Sequence, residues 1–244
     1  PLAHDLARHP EWRIRWIDEP RPVEGASPEA LFEALRATPQ LGSAGSLSIY
    51  PTMSFVDGNG VASDLLQAVT GGRDIAARAS ALQRASVLTM LQEPTDHAPY
   101  GWSHALTMPQ AVLGIAGVCS DPSRALAVAA TFLVGFRATI AACPLEAAYA
   151  PEDPGVDVSE ALEADPDIAA AAAHNVPDHL LADLEVELAT RAAVANDAHL
   201  VKYTLACLDA AAADPPARRL YLAGAAKLVA WWATHPDGDD PLAA

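Results

Sequence analysis

Basic residues are scarce in this chain. Lysine and arginine total 15 against 31 acidic residues, a formal charge of −16 over 244 residues. A field of that sign repels phosphate backbones and anionic lipid headgroups, which excludes nucleic acid as a partner and argues against a membrane surface. Aromatic residues make up only 6%. Cysteine occurs three times, at 119, 143 and 207, with no Cys-x-x-Cys spacing. An odd number of distant cysteines in apolar stretches gives neither a disulfide framework nor a zinc site. They are expected to be buried free thiols in a reducing cytoplasm.

Familiar catalytic signatures are missing as well. The chain has no GxxxxGK phosphate loop, no GxGxxG turn, no GxSxG elbow and no HExxH. None of its eight histidines has a glutamate three residues before it, the spacing of carboxylate-bridged di-iron bundles. The polar start, with His4, Asp5, Arg8 and His9, is unlike a basic-then-apolar signal peptide, so export is not expected.

What is abundant is alanine, 54 residues of the 244. A small side chain with high helix propensity favours helices that approach one another closely. The pattern predicts an all-α fold, a single domain over residues 1–244 of about eight helices. Trp12 and Trp16 read as indoles carried into the core by a lead-in, and Ser27-Pro28 as the start of a helix that Pro39 stops.

Residues 46–56 alternate but contain Pro51, which predicts at most a short extended segment before a turn at Gly58-Asn59-Gly60. Helices are predicted for residues 64–69, 74–91, 103–118, 122–142 and 169–174. One long helical pattern follows from Pro177 through Ala213, and a last helix runs from Pro215 to Thr234. Residues 125–143 are the most apolar run, but Arg137 in the middle marks a buried core helix rather than a membrane span. Residues 144–167 form an acidic, proline-bearing connection.

Two short stretches carry chemistry. His104 opens a helix that Pro109 should kink, because proline lacks the amide proton and crowds the preceding turn. The alternative is a core histidine bonded to a carbonyl. His97 lies seven residues earlier in a Pro99-Gly101 loop that can fold back toward it.

In Asn196-Asp197-Ala198-His199-Leu200-Val201-Lys202, His199 and Lys202 are i and i+3 and share a helix face. Ala192, Ala195, Ala206 and Ala210 frame that face. The chain has thirteen arginines and only two lysines, at 202 and 227, so an amine that can change protonation or be modified carries meaning at position 202. The alternative places its charge on Asp197 or Asp209. His174 and His179 flank a proline and read as capping or surface residues. Trp231 and Trp232 read as core plugs or as a contact between copies in a homo-oligomer.

Taken together, His104-Ala105-x-Thr107-x-Pro109 and Asp197-x-His199-x-x-Lys202-x-Thr204-x-Ala206-Cys207-Leu208, followed by Tyr221-Leu222-x-x-Ala225, resemble the questin oxidase-like family over roughly residues 96–226. That resemblance implies a metal-dependent oxygenase acting with dioxygen on a small fused-ring aromatic substrate, by oxygen insertion or ring cleavage. It implies non-haem iron held by His97, His104, His199 and a carboxylated Lys202, with His4 as another source of imidazole and NADPH as an optional electron donor.

Family members are usually longer and bring further histidines from their N-terminal half. Ahead of His104 this chain has His4, His9 and His97, so it is either a compact relative or one without that upstream part. Two other classes stand beside the oxygenase: a non-catalytic helical binding or interaction protein with an incomplete metal site, and a metal-free enzyme using His199 and Lys202 as acid and base.

Overall fold

The computed structural model describes residues 32–33, 35–42, 49–59, 74–94 and 100–235. The expectations for Trp12, Trp16, Ser27, residues 64–69, His4, His9 and His97 lie outside these. Among the described residues there are nine α-helices and no strand, an all-α single domain. They are α1 (Ile49–Gly58), α2 (Ile75–Gln92), α3 (Tyr100–Ala116), α4 (Pro122–Ile140), α5 (Val158–Ala161), α6 (Pro166–Asn175), α7 (Leu181–Ala193), α8 (Ala198–Ala213) and α9 (Arg218–Thr234). No described helix is long and apolar enough to cross a membrane.

Aspartates start several of these helices. Asp74 accepts the amide of Ala77 at 2.9 Å ahead of α2, and Asp165 accepts those of Asp167 and Ile168 ahead of α6, whose first residue is Pro166. A side-chain oxygen at this position meets amide groups that the helix itself leaves without partners.

Two expectations are corrected. Residues 49–58 form helix α1 rather than an extended segment. Pro51 falls in its first turn, where a missing amide proton costs nothing because those amides have no intrahelical acceptor. The single long helix from Pro177 to Ala213 is in fact a 3-10 turn, Asp178–Leu180, then α7 and α8. The chain leaves α7 at Val194 and restarts where Asp197 caps α8. The cysteine expectation also narrows: all three are free thiols, but only Cys207 is buried.

Helix α9 is the hub, touching α2, α6, α7 and α8. Every residue from Tyr221 to Trp231 is buried, the mark of a helix surrounded by protein rather than lying on a surface. Its Ala223, Gly224, Ala225 and Ala226, together with Ala169, Ala170, Ala172 and Ala173 of α6, keep these packed segments narrow. A Cβ on Gly224 would collide with Val87 Cγ2 of α2 and crowd the Tyr203 hydroxyl of α8 at 3.2 Å. Within the acidic connection, Leu145, Ala161 and Leu162 are buried in the same core.

Charge is also drawn inside. Lys227 of α9 is buried and its Nζ donates to the carbonyls of Leu91 (3.0 Å) and Glu93 (2.9 Å) at the end of α2, and pairs with Asp167 at 2.8 Å. Arg84 makes a bidentate pair with Asp214 at 2.6 Å for both contacts, and Tyr221 donates to the same carboxylate at 3.3 Å.

Gly224→Ala is expected to lower unfolding free energy in urea titrations by about 1–3 kcal/mol, the usual cost of overpacking. Lys227→Met is expected to cost about 3 kcal/mol, because it strands buried carbonyls that the ammonium now satisfies.

Candidate functional site

The two histidines singled out from separate stretches of sequence meet in space. Their rings lie edge to face, with centroids 5.0 Å apart and planes at 82°. Each comes from a helix whose placement has a local cause.

His104 is the fifth residue of α3, and its ring stacks on Phe136 of α4 at 6.1 Å and 17°. Three residues earlier, Gly101 lets α3 settle against α4. A Cβ there would sit 2.5 Å from Ile140 Cδ1 and 3.2 Å from Phe136 Cδ1. Helix α3 continues through Pro109, which is buried within it. Thr107 donates its hydroxyl to the Ser103 carbonyl at 2.9 Å, one turn back.

His199 is the second residue of α8. Asp197 Oδ1 accepts the His199 amide at 2.6 Å and the Leu200 amide at 3.4 Å, and contacts the ring Nδ1 at 3.1 Å. Carried by Nδ1, a proton is donated to the carboxylate, leaving Nε2 as the basic nitrogen of the ring. Burial holds the His199 pKa below the ordinary histidine value; Asp197 pulls it upward and Lys202 downward. The ring is therefore a neutral imidazole at neutral pH.

Lys202 stands on the same helix as His199 but in a different setting. It is exposed, because the buried face of α8 runs through Leu200, Tyr203, Thr204, Cys207 and Ala211. Position 202 points roughly opposite that face at 100° per residue, on the side of Leu205 and Asp209, while His199 lies on the rim. Of the four alanines expected to frame the pair, Ala206 and Ala210 lie on α8 and are buried, but Ala192 belongs to α7 and Ala195 to the passage between the two helices, so the framing face ends where α8 begins. The buried lysine is the other one, Lys227.

Sequence reading gave no role to Phe136, since nothing local marks an aromatic residue on one helix as the support for a histidine on another. Burial pushes the Cys207 thiol and the Tyr203 hydroxyl upward, so neither is a nucleophile or acid near neutrality. His174 is half-buried against Tyr149, with ring centroids 5.4 Å apart, and its pKa is lowered by burial and then by Arg219. Burial pushes Tyr149 up to about 12.

Among the described residues no group of three or more His, Cys, Asp and Glu side chains is arranged to hold a metal ion. The imidazole pair alone is compatible with shared coordination. Two imidazoles bound to one ion at about 2.1 Å, at roughly tetrahedral or right angles, place their centroids about 5 Å apart.

Cavities lie near these helices. One of about 320 Å³ adjoins Asp197 at the junction of α7, α8 and α9. Another of about 480 Å³ lies between the acidic connection, α6 and α7, and is lined by none of His104, His199 and Lys202. Comparison of the chain with protein-family models, curated proteins and solved structures gives no match.

NMR titration is expected to place the His199 imidazole below about 6.5. Asp197→Asn, which keeps a capping oxygen, should lower it further, and Lys202→Gln should raise it. His199 and His174 are both held neutral by folding, while the unfolded chain protonates near 6.5. Stability from these rings is complete above that value and is lost as pH falls through their folded values. The acid-side loss measured by urea unfolding should be smaller in His174→Asn than in the parent.

Proposed function

We propose that the chain is a metal-dependent oxygenase for a small fused-ring aromatic substrate, with non-haem iron held at the His104–His199 pair. The observation that carries this reading is the meeting of two imidazoles from distant segments, one of them tied through Nδ1 to a carboxylate. Neutral imidazoles are good ligands for iron, and a ligating histidine is commonly oriented by a carboxylate on its other nitrogen. Bound iron would supply dioxygen activation for insertion into the aromatic ring or for its cleavage, with NADPH as electron donor where one is required.

The side chains have separable tasks. Asp197 fixes the tautomer and direction of the His199 ring, and the lowered basicity of that ring keeps a lone pair available near neutral pH. Phe136 supports the face of His104 and limits its rotation. In this reading Lys202, one turn beyond His199, supplies an anionic oxygen after carboxylation, and His97 supplies a third imidazole.

A second reading, a helical ligand-binding protein with an incomplete metal site, is favoured by the exposure of Lys202 and by the absence of a three-ligand group among the described residues. Metal analysis of protein reconstituted with ferrous iron and bicarbonate separates the two. About one iron per chain is expected, lost in His104→Ala and His199→Ala and weakened in Lys202→Ala, together with dioxygen uptake on an anthraquinone. Native and reconstituted protein that both lack metal would overturn the oxygenase and leave the binding protein.

A further inference from the structure

The cavity at the junction of α7, α8 and α9 has a chemistry of its own. Ala195, Leu200, Val229 and Ala233 give it aliphatic walls, and Trp232 adds an indole. Its volume of about 320 Å³ lies at the small end of ligand sites, which suits a molecule of one or two rings.

Two charged groups border this space, Arg191 and Asp197, and they differ in what already occupies them. Arg191 donates from Nε to Glu187 at 2.8 Å and from its terminal nitrogen to Glu163. Two carboxylates thus meet its charge, and little of it is left to attract an anion. Asp197 accepts its contacts on Oδ1 alone. Among the described residues its Oδ2 takes no hydrogen bond, and the side chain is 28% exposed.

An anionic acceptor, an indole and aliphatic walls are the features that recognise a positive head on an apolar body. The chain's charge of −16 adds a field that concentrates cations and repels anions.

We infer that this cavity binds a small arylalkyl ammonium, with its charged head at Asp197 Oδ2 and its ring among Trp232, Val229 and Leu200. A neutral analogue of the same shape forfeits the charge-assisted hydrogen bond, and an anionic one meets an uncompensated carboxylate. The occupant also shares a carboxylate with His199. An ammonium on Oδ2 draws on the negative charge that the ring Nδ1 now uses at Oδ1, so occupancy is felt at the imidazole pair. This inference is independent of whether the pair holds a metal.

The test titrates the whole chain with phenethylamine, 2-phenylethanol and phenylacetate, by calorimetry and by the imidazole carbon-proton signal of His199. Saturable binding of the amine is expected, about tenfold or more tighter than the alcohol, with no binding of phenylacetate and a displaced His199 signal. Asp197→Asn, whose amide still caps α8, should weaken the amine about tenfold. Ala233→Phe, at an exposed position on α9, should block it while circular dichroism stays unchanged.

Equal binding of amine and alcohol overturns the inference, as does preference for phenylacetate or no binding of any of the three. Amine binding that survives both substitutions overturns it too, since the cation then sits elsewhere.

Discussion

At the end of α2 the chain places three charged side chains in the interior and lets them complete one another. Glu93 is buried; its carboxylate accepts the amide of Ala142 at 2.8 Å and lies 3.8 Å from the guanidinium of Arg137. Arg137, also buried, donates to the Cys143 carbonyl at 3.0 Å. Lys227 arrives from α9 to meet the carbonyls that close α2, a position where the helix dipole favours a cation. Through this cluster α2 is joined to α4 by Arg137, to α9 by Lys227 and to α6 by Asp167. Buried charges cost much to desolvate, so removing any one member of such a cluster leaves its partners buried and uncompensated.

The imidazole pair inherits its geometry from that arrangement. Phe136 adjoins Arg137 in sequence, so anchoring the guanidinium fixes the rotation of α4 that presents the phenyl ring to His104. Gly101 then sets how closely α3 lies on α4. On the other side, Asp197 ends the irregular passage after α7 and decides where α8 begins, which places His199 on its first turn. Neither histidine is positioned by its immediate sequence alone.

Much of the fold could be read from composition and punctuation. Asp74 and Pro122 mark helix starts, and the alanine content announces close packing. The reading failed where one signal stood for two structures. Pro51 looked like a breaker because its place within a helix depends on where the helix begins. The break between α7 and α8 was hidden because helical periodicity continues across Asn196 and Asp197. For the site, His104 and His199 were legible as residues worth attention, whereas the contact of Asp197 with the His199 ring emerged only from the fold. The burial of Lys227 was not, because a lysine's environment is set by whichever helix ends opposite it, here α2.

Having two lysines with opposite fates has a practical side. Lys202 is exposed and Lys227 is buried with its ammonium fully engaged. Reagents and enzymes that modify lysine amines therefore find a single reactive lysine on the folded, metal-free and uncarboxylated protein and a second only when α9 separates from α2. The ratio of labelling at the two positions reads out opening of the helical core from an intrinsic pair of amines, with position 202 as internal standard.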